Sequence, residues 1–205
     1  NDSGPQGFDN CASVGARRVR IIATANAHAL AHVSRLLEVA KVLRGRGHDI
    51  LFAGCGKYLQ VATWDGFSTC ELPYISVEQV VQAVRTQKLW QLYREAQLRE
   101  FIAAERALFS TIKPDLVLID NRPTVRTSAD ALGIKTVALL NVHMSNHKRT
   151  PFFSLGNMLG CDGVKVVDFV DQVENAIECV FYDRFVMGGL NALRREMGLP
   201  RLHAY

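Results

Sequence analysis

The stretch from Val19 to Ala53 constrains the fold more than any other. Val19-Arg20-Ile21-Ile22-Ala23-Thr24 is rich in β-branched residues and bounded by small ones, the pattern of a short buried strand. A loop, Ala25 to Ala31, follows, and Val33, Leu36, Leu37, Ala40 and Leu43 then recur at helical spacing. Arg44-Gly45-Arg46-Gly47 places basic residues and glycines where a helix should end. His48-Asp49-Ile50-Leu51-Phe52-Ala53 reads as the next strand. The three pieces make a βαβ unit, whose crossover is right-handed. Function in such folds gathers at the carboxyl ends of the strands, and the first such end carries His28 and His32.

The rest of the chain extends this pattern. Residues 1–16 are polar with Gly and Pro and read as a flexible leader, and residues 17–205 read as one domain. Lys57 to Trp64 predicts a short helix, and Phe67 to Leu72 a third strand stopped by Pro73. Ser76 to Ile112 is mostly helical, with a break expected near Gln87. Leu116-Val117-Leu118-Ile119 is a fourth strand ending at Asp120-Asn121. Pro123 opens a helix capped by Gly133, and Ile134 to Leu140 is a fifth strand that runs into Asn141-Val142-His143-Met144. Val166 to Met197 predicts helix with an interruption around Gly188-Gly189. The fold class is therefore α/β: a Rossmann-like three-layer domain with a mostly parallel sheet.

Composition narrows the function classes. A net charge of +4 is too weak to argue for nucleic acid. No apolar run approaches bilayer-spanning length, and the N-terminus lacks the regions of a signal peptide. The five cysteines are odd in number, scattered and without a Cys-x-x-Cys pair, which fits reduced thiols in a cytoplasmic protein. The loop after the first strand has no glycine, so a dinucleotide cradle is missing, and neither a P-loop nor a Gly-x-Ser-x-Gly elbow occurs. His28 and His32 stand four apart, but no third ligand follows at metal spacing, so no metal site is expected.

With the sheet order 3-2-1-4-5, the first and fourth strands are neighbours across the switch point. Their carboxyl ends bring His28 and His32 beside Asp120 and Asn121, with Asn141 and His143 one strand further on. A histidine held by a carboxylate can take a proton from a hydroxyl, because the carboxylate fixes the tautomer and stabilises the imidazolium. His32 is then a candidate general base and Asp120 its orienting partner, while His28, Asn121, Asn141, His143 and Met144 are candidate pocket lining, with Asn141 and His143 equally readable as turn residues. The structural alternative is that His32 satisfies backbone groups at a helix start and Asp120 caps the helix at Pro123.

Several segments carry a family resemblance. Ala31-His32-Val33, the apolar helix Leu36-Leu37-x-x-Ala40-x-x-Leu43 and Arg46-Gly47-His48-Asp49-Ile50-x-Phe52 resemble the opening of GT-B glycosyltransferases related to macrolide and UDP-sugar transferases. Pro114-Asp115-Leu116-Val117-Leu118-Ile119-Asp120, Ala131-Leu132-Gly133-Ile134 and Asn191-x-x-Arg194-x-x-x-Gly198-Leu199-Pro200 are similar to later segments of the same N-terminal domain, in the same order. The resemblance implies an acceptor-binding half of an inverting transferase. His32 would deprotonate an acceptor hydroxyl, Asp120 would partner it, and the hydroxyl would attack the anomeric carbon of a nucleotide sugar. This chain departs from the family at Ala31, where glycine is usual, and at Arg35, where proline is usual; Arg35 is expected to reshape the loop around His32.

The resemblance also implies partners. The nucleotide sugar is a co-substrate held mainly by a C-terminal domain that these residues do not include, and no other cofactor is expected. The alternatives are a non-catalytic helper subunit that pairs with a separate donor-binding chain, and an unrelated flavodoxin-like binding module. The Phe152-Phe153 edge beside Lys148 and Arg149 permits an apolar, lipid-like acceptor or peripheral contact with an anionic membrane, as well as a plain solvated loop.

Overall fold

The computed structural model of the protein describes residues 17–27, 29–86, 88–141 and 165–203. The first strand, β1 (Arg20–Asn26), is buried along nearly its whole length, because strands stand on both sides of it. β2 (Asp49–Cys55), β3 (Ser68–Glu71), β4 (Leu116–Asp120) and β5 (Lys135–Ala138) complete a sheet of order β3-β2-β1-β4-β5. All four pairings are parallel, and Ala25 of β1 lies in register with Asp120 of β4. The expected strand order and the placement of Asp120 at the sheet's carboxyl edge are therefore observed.

β1 runs two residues further than the sequence pattern suggests, since Ala25 and Asn26 still pair with Gly54 and Cys55. Gly54 makes that approach possible: a Cβ there would sit 2.3 Å from the Ala25 carbonyl oxygen.

Helices cover both faces. α1 (Leu30–Gly45) buries Val33, Leu36, Leu37 and Ala40 against Ile21, Ala23, Phe52 and Leu118. After β2 come a 3₁₀ turn (Lys57–Leu59) and α2 (Gln60–Trp64). The long charged segment does break as expected, into α3 (Val77–Arg85), a 3₁₀ turn (Leu89–Tyr93) and α4 (Glu95–Ile112). Phe109 of α4 and Val125 and Ala129 of α5 (Pro123–Asp130) close the opposite face over Ile22, Val117 and Ile119.

The last helical segment is interrupted next to Gly188-Gly189, as expected. α6 (Lys165–Phe181) passes through one wide π turn (Tyr182–Val186) before α7 (Gly188–Glu196) begins. The interruption falls at Met187, and Gly188-Gly189 opens the helix that follows. Gly189 is needed for contact, because a Cβ there would lie 2.8 Å from the Tyr93 carbonyl oxygen. Asn191 and Arg194 bind the tail to the domain. Asn191 exchanges two hydrogen bonds with the Leu202 backbone, both 2.9 Å. Arg194 donates to the Pro200 carbonyl at 2.7 Å and to Asp130 of α5 at 2.8 Å.

A buried ion pair fixes the segment that leaves β4. Glu105 of α4 and Arg122, two residues beyond Asp120, are both fully buried and meet at 2.9 Å. Thr124 and Ser128 of α5 donate to the same carboxylate at 2.6 Å each, and Arg122 also donates to the Pro73 carbonyl and covers the Tyr74 ring. Burial pushes the Glu105 carboxyl up, and the Arg122 guanidinium and the two hydroxyls pull it back down. Removing one member of such a pair strands the other charge. Glu105→Ala should therefore cost about 3–5 kcal/mol in urea unfolding, and replacing both residues by Met should recover much of it. A loss below about 1 kcal/mol for the single variant would mean that the guanidinium finds another partner.

Candidate active site at the carboxyl ends of β1 and β4

Asp120 is the last residue of β4 and is 1% exposed at its side chain. It does not cap α5, whose N-cap position is Arg122 and which has no side-chain cap. Its two oxygens turn instead to α1. His32 Nδ1 lies 2.8 Å from Oδ1, and Arg35, one turn further along the helix, donates from Nε to Oδ2 at 2.9 Å and from Nη2 to Oδ1 at 2.8 Å. Arg35 Nη1 also donates to the Asn141 side-chain oxygen beyond β5. The end of β4 and the first turns of α1 thus meet at one carboxylate, and Arg35 links it to the residue that follows β5.

The contacts assign the histidine tautomer. An ionised carboxylate only accepts, so His32 Nδ1 carries the hydrogen, and Nε2 keeps its lone pair. Asn121 Nδ2 lies 3.2 Å from Nε2 and donates to it. Asn121 reaches that position with a positive φ of 52°, a conformation that asparagine tolerates better than most residues. The His32 side chain remains 19% exposed, whereas that of Asp120 is 1% exposed.

The sequence expectation of His32 beside Asp120 and Asn121 is therefore realised in space, and Asn141 is joined to them through Arg35. His28, His143 and Met144, as well as Lys148, Arg149, Phe152 and Phe153, lie outside the described residues. His48 takes a hydrogen bond from the Val19 backbone at the far end of the sheet, a structural role. The sequence marks Arg35 only as a departure that should reshape a loop. Its spacing of three from His32 was the available signal, since i and i+3 share a helix face.

Other chemistry is weaker here. Burial pushes the Cys55 thiol up at the end of β2, which disfavours a thiolate nucleophile. Among the described residues no group of three His, Cys, Asp or Glu could hold a metal ion, and no helix is long and apolar enough to cross a membrane.

Solved structures share this arrangement of elements. The glycosyltransferase SsfS6 of Streptomyces sp. SF2575 superposes with a TM-score of 0.57 at 17% identity, covering 90% of this chain and 48% of that one. The calicheamicin glycosyltransferase CalG4 does so with 0.54 at 21% identity, covering 89% and 43%. At these identities the likeness shows the fold alone: a Rossmann-like domain of the kind these glycosyltransferases contain.

Curated relatives agree in class. A PGL/p-HBAD biosynthesis glycosyltransferase of Mycobacterium tuberculosis H37Rv is 31% identical over 137 residues, 67% of this chain and 32% of that protein. A protein of Mycobacterium bovis BCG named an inactive PGL/p-HBAD biosynthesis glycosyltransferase matches equally, over 37% of its length. A PGL/p-HBAD biosynthesis rhamnosyltransferase of Mycobacterium bovis BCG is 28% identical over 200 residues, 95% of this chain and 42% of that protein. The chain thus spans less than half the length of these relatives. No family model matches it.

Asp120→Asn keeps the shape and removes the charge. Arg35 is 33% exposed and can turn towards water, unlike Arg122. The cost should be about 1.5–3 kcal/mol in urea unfolding, the range for hydrogen bonds to a charged group. An unchanged midpoint would contradict the contacts described.

Proposed function

We propose that this chain is the acceptor-binding half of an inverting glycosyltransferase, with His32 as general base and Asp120 as its orienting partner. One observation supports this most: with Nδ1 held by Asp120, His32 Nε2 is the accepting nitrogen of the ring and already takes a hydrogen bond from Asn121. An acceptor O–H is a donor of the same kind and takes the place of that amide. Its proton passes to Nε2, its oxygen bonds to the anomeric carbon, and the bond from that carbon to the nucleoside diphosphate breaks. Asp120 stabilises the imidazolium that forms, as in other carboxylate–histidine pairs.

Donor binding is assigned to a second domain outside these residues. A structure of SsfS6 in complex with thymidine diphosphate shares this fold, with a TM-score of 0.56. Asn121 and Asn141 line the acceptor side of the cleft, and His28, His143 and Met144 are kept as proposed lining. The relatives' names place glycosyl transfer in PGL/p-HBAD biosynthesis for those proteins, and only the reaction class is extended to this chain.

A non-catalytic subunit paired with a donor-binding chain is the second reading. It draws on the relative named inactive and on the exposed Val173, Ile177 and Val180 of α6, an apolar face open to a further domain or chain.

His32→Ala separates the two in the full-length protein. Under the catalytic reading, kcat falls about 10²–10⁴-fold, the usual share of general base catalysis, while acceptor affinity changes little. Unchanged turnover would remove His32 from the mechanism.

A further inference from the structure

Arg35 is the one member of the cluster with no role in the reaction as written above. We propose that it is the positioning residue of the site: its guanidinium sets the plane of the Asp120 carboxylate, which in turn fixes the tautomer and aim of His32. The inference rests on His32 acting as the base.

The argument begins with the carboxylate. The terminal torsion of an aspartate is broad, so one bond from a neutral imidazole leaves the carboxylate plane loosely defined. A guanidinium that meets both oxygens side-on defines it, because the fork is planar and rigid. Arg35 does this through Nε to Oδ2 at 2.9 Å and Nη2 to Oδ1 at 2.8 Å. The same Oδ1 receives His32 Nδ1–H, and the two donors converge on it, standing 3.2 Å apart. Arg35 also anchors itself across the sheet, from Nη1 to Asn141 beyond β5.

Charge points the same way. Asp120 is 1% exposed, and a carboxylate buried to that degree needs a countercharge. Among the described residues, Arg35 is the only permanently charged cation paired with it. The pair is not a generic surface bridge, since its acidic partner is buried and the fork is bidentate. Lysine at this position could supply charge but only one donor group, so geometry and charge are separable by substitution.

The test is the ring-nitrogen NMR spectrum of His32 in the full-length protein labelled with 15N-histidine, with His32→Gln to assign the signals. The wild type should show one tautomer, protonated at Nδ1, with a hydrogen-bonded ring proton. Arg35→Met, checked for folding by circular dichroism, should show exchange between tautomers and lose that proton signal. Arg35→Gln replaces it if the Met variant does not fold. Arg35→Lys should not restore the single tautomer. In turnover, kcat should fall about 10–100-fold with the acceptor KM nearly unchanged, the effect of a misplaced base. An unchanged tautomer in the folded Met or Gln variant would overturn the proposal, as would full restoration by Lys, which would leave charge without positioning. The ring signals are read without donor or acceptor. They judge Arg35 even if His32→Ala keeps full turnover and the base assignment fails.

Discussion

A carboxylate placed in the core must be satisfied there, and the site follows from how Asp120 meets that demand. It ends a central strand, out of reach of bulk water, and its oxygens must find donors on neighbouring elements. α1 supplies both, His32 from its first turn and Arg35 one turn on. The histidine keeps Nε2 as its accepting nitrogen, which Asn121 meets at 3.2 Å. A single unmet requirement of the folded chain thus produces the feature that acid–base chemistry needs.

A second buried carboxylate holds the first in place. Glu105 joins α4 to Arg122 and to the hydroxyls of α5, so the three residues after β4 cannot drift. Asp120 and Asn121 sit directly before that anchor. Further along the chain, Arg194 ties the tail to Asp130 at the end of α5 and so braces the same helix from outside. The two ion pairs differ in consequence. Arg122 is sealed, whereas Arg35 keeps an exposed edge, so the first belongs to stability and the second is free to serve the site.

Much of this was legible before any coordinates. The strand order expected from the sequence is the common 3-2-1-4-5 of such sheets, and that order brings His32 next to Asp120. The break near Gln87 follows from a change of apolar face along one charged segment. Other features lie beyond local pattern. Ala25 and Asn26 look like loop, yet they extend β1 because Gly54 lets β2 come close. Gly188-Gly189 mark the helix interruption in the sequence, but the second reason for Gly189, the Tyr93 carbonyl passing beside it, appears only in the fold. Arg35 was the hardest to read. A guanidinium on a helix declares a charge, while its partners lie 85 and 106 residues away and appear only when the strands are assembled.

In the proposed reaction His32 Nε2, on a ring held at Nδ1 by Asp120, takes the proton from an acceptor in a single displacement. The most direct measurement is the anomeric configuration of the first-formed product, read by NMR, when the intact protein acts on a nucleotide sugar of known configuration. A single displacement predicts inversion. Retention would contradict the account, since a single in-line displacement by the acceptor cannot produce it. The carboxylate at this site, Asp120, is already closed off by His32 and Arg35.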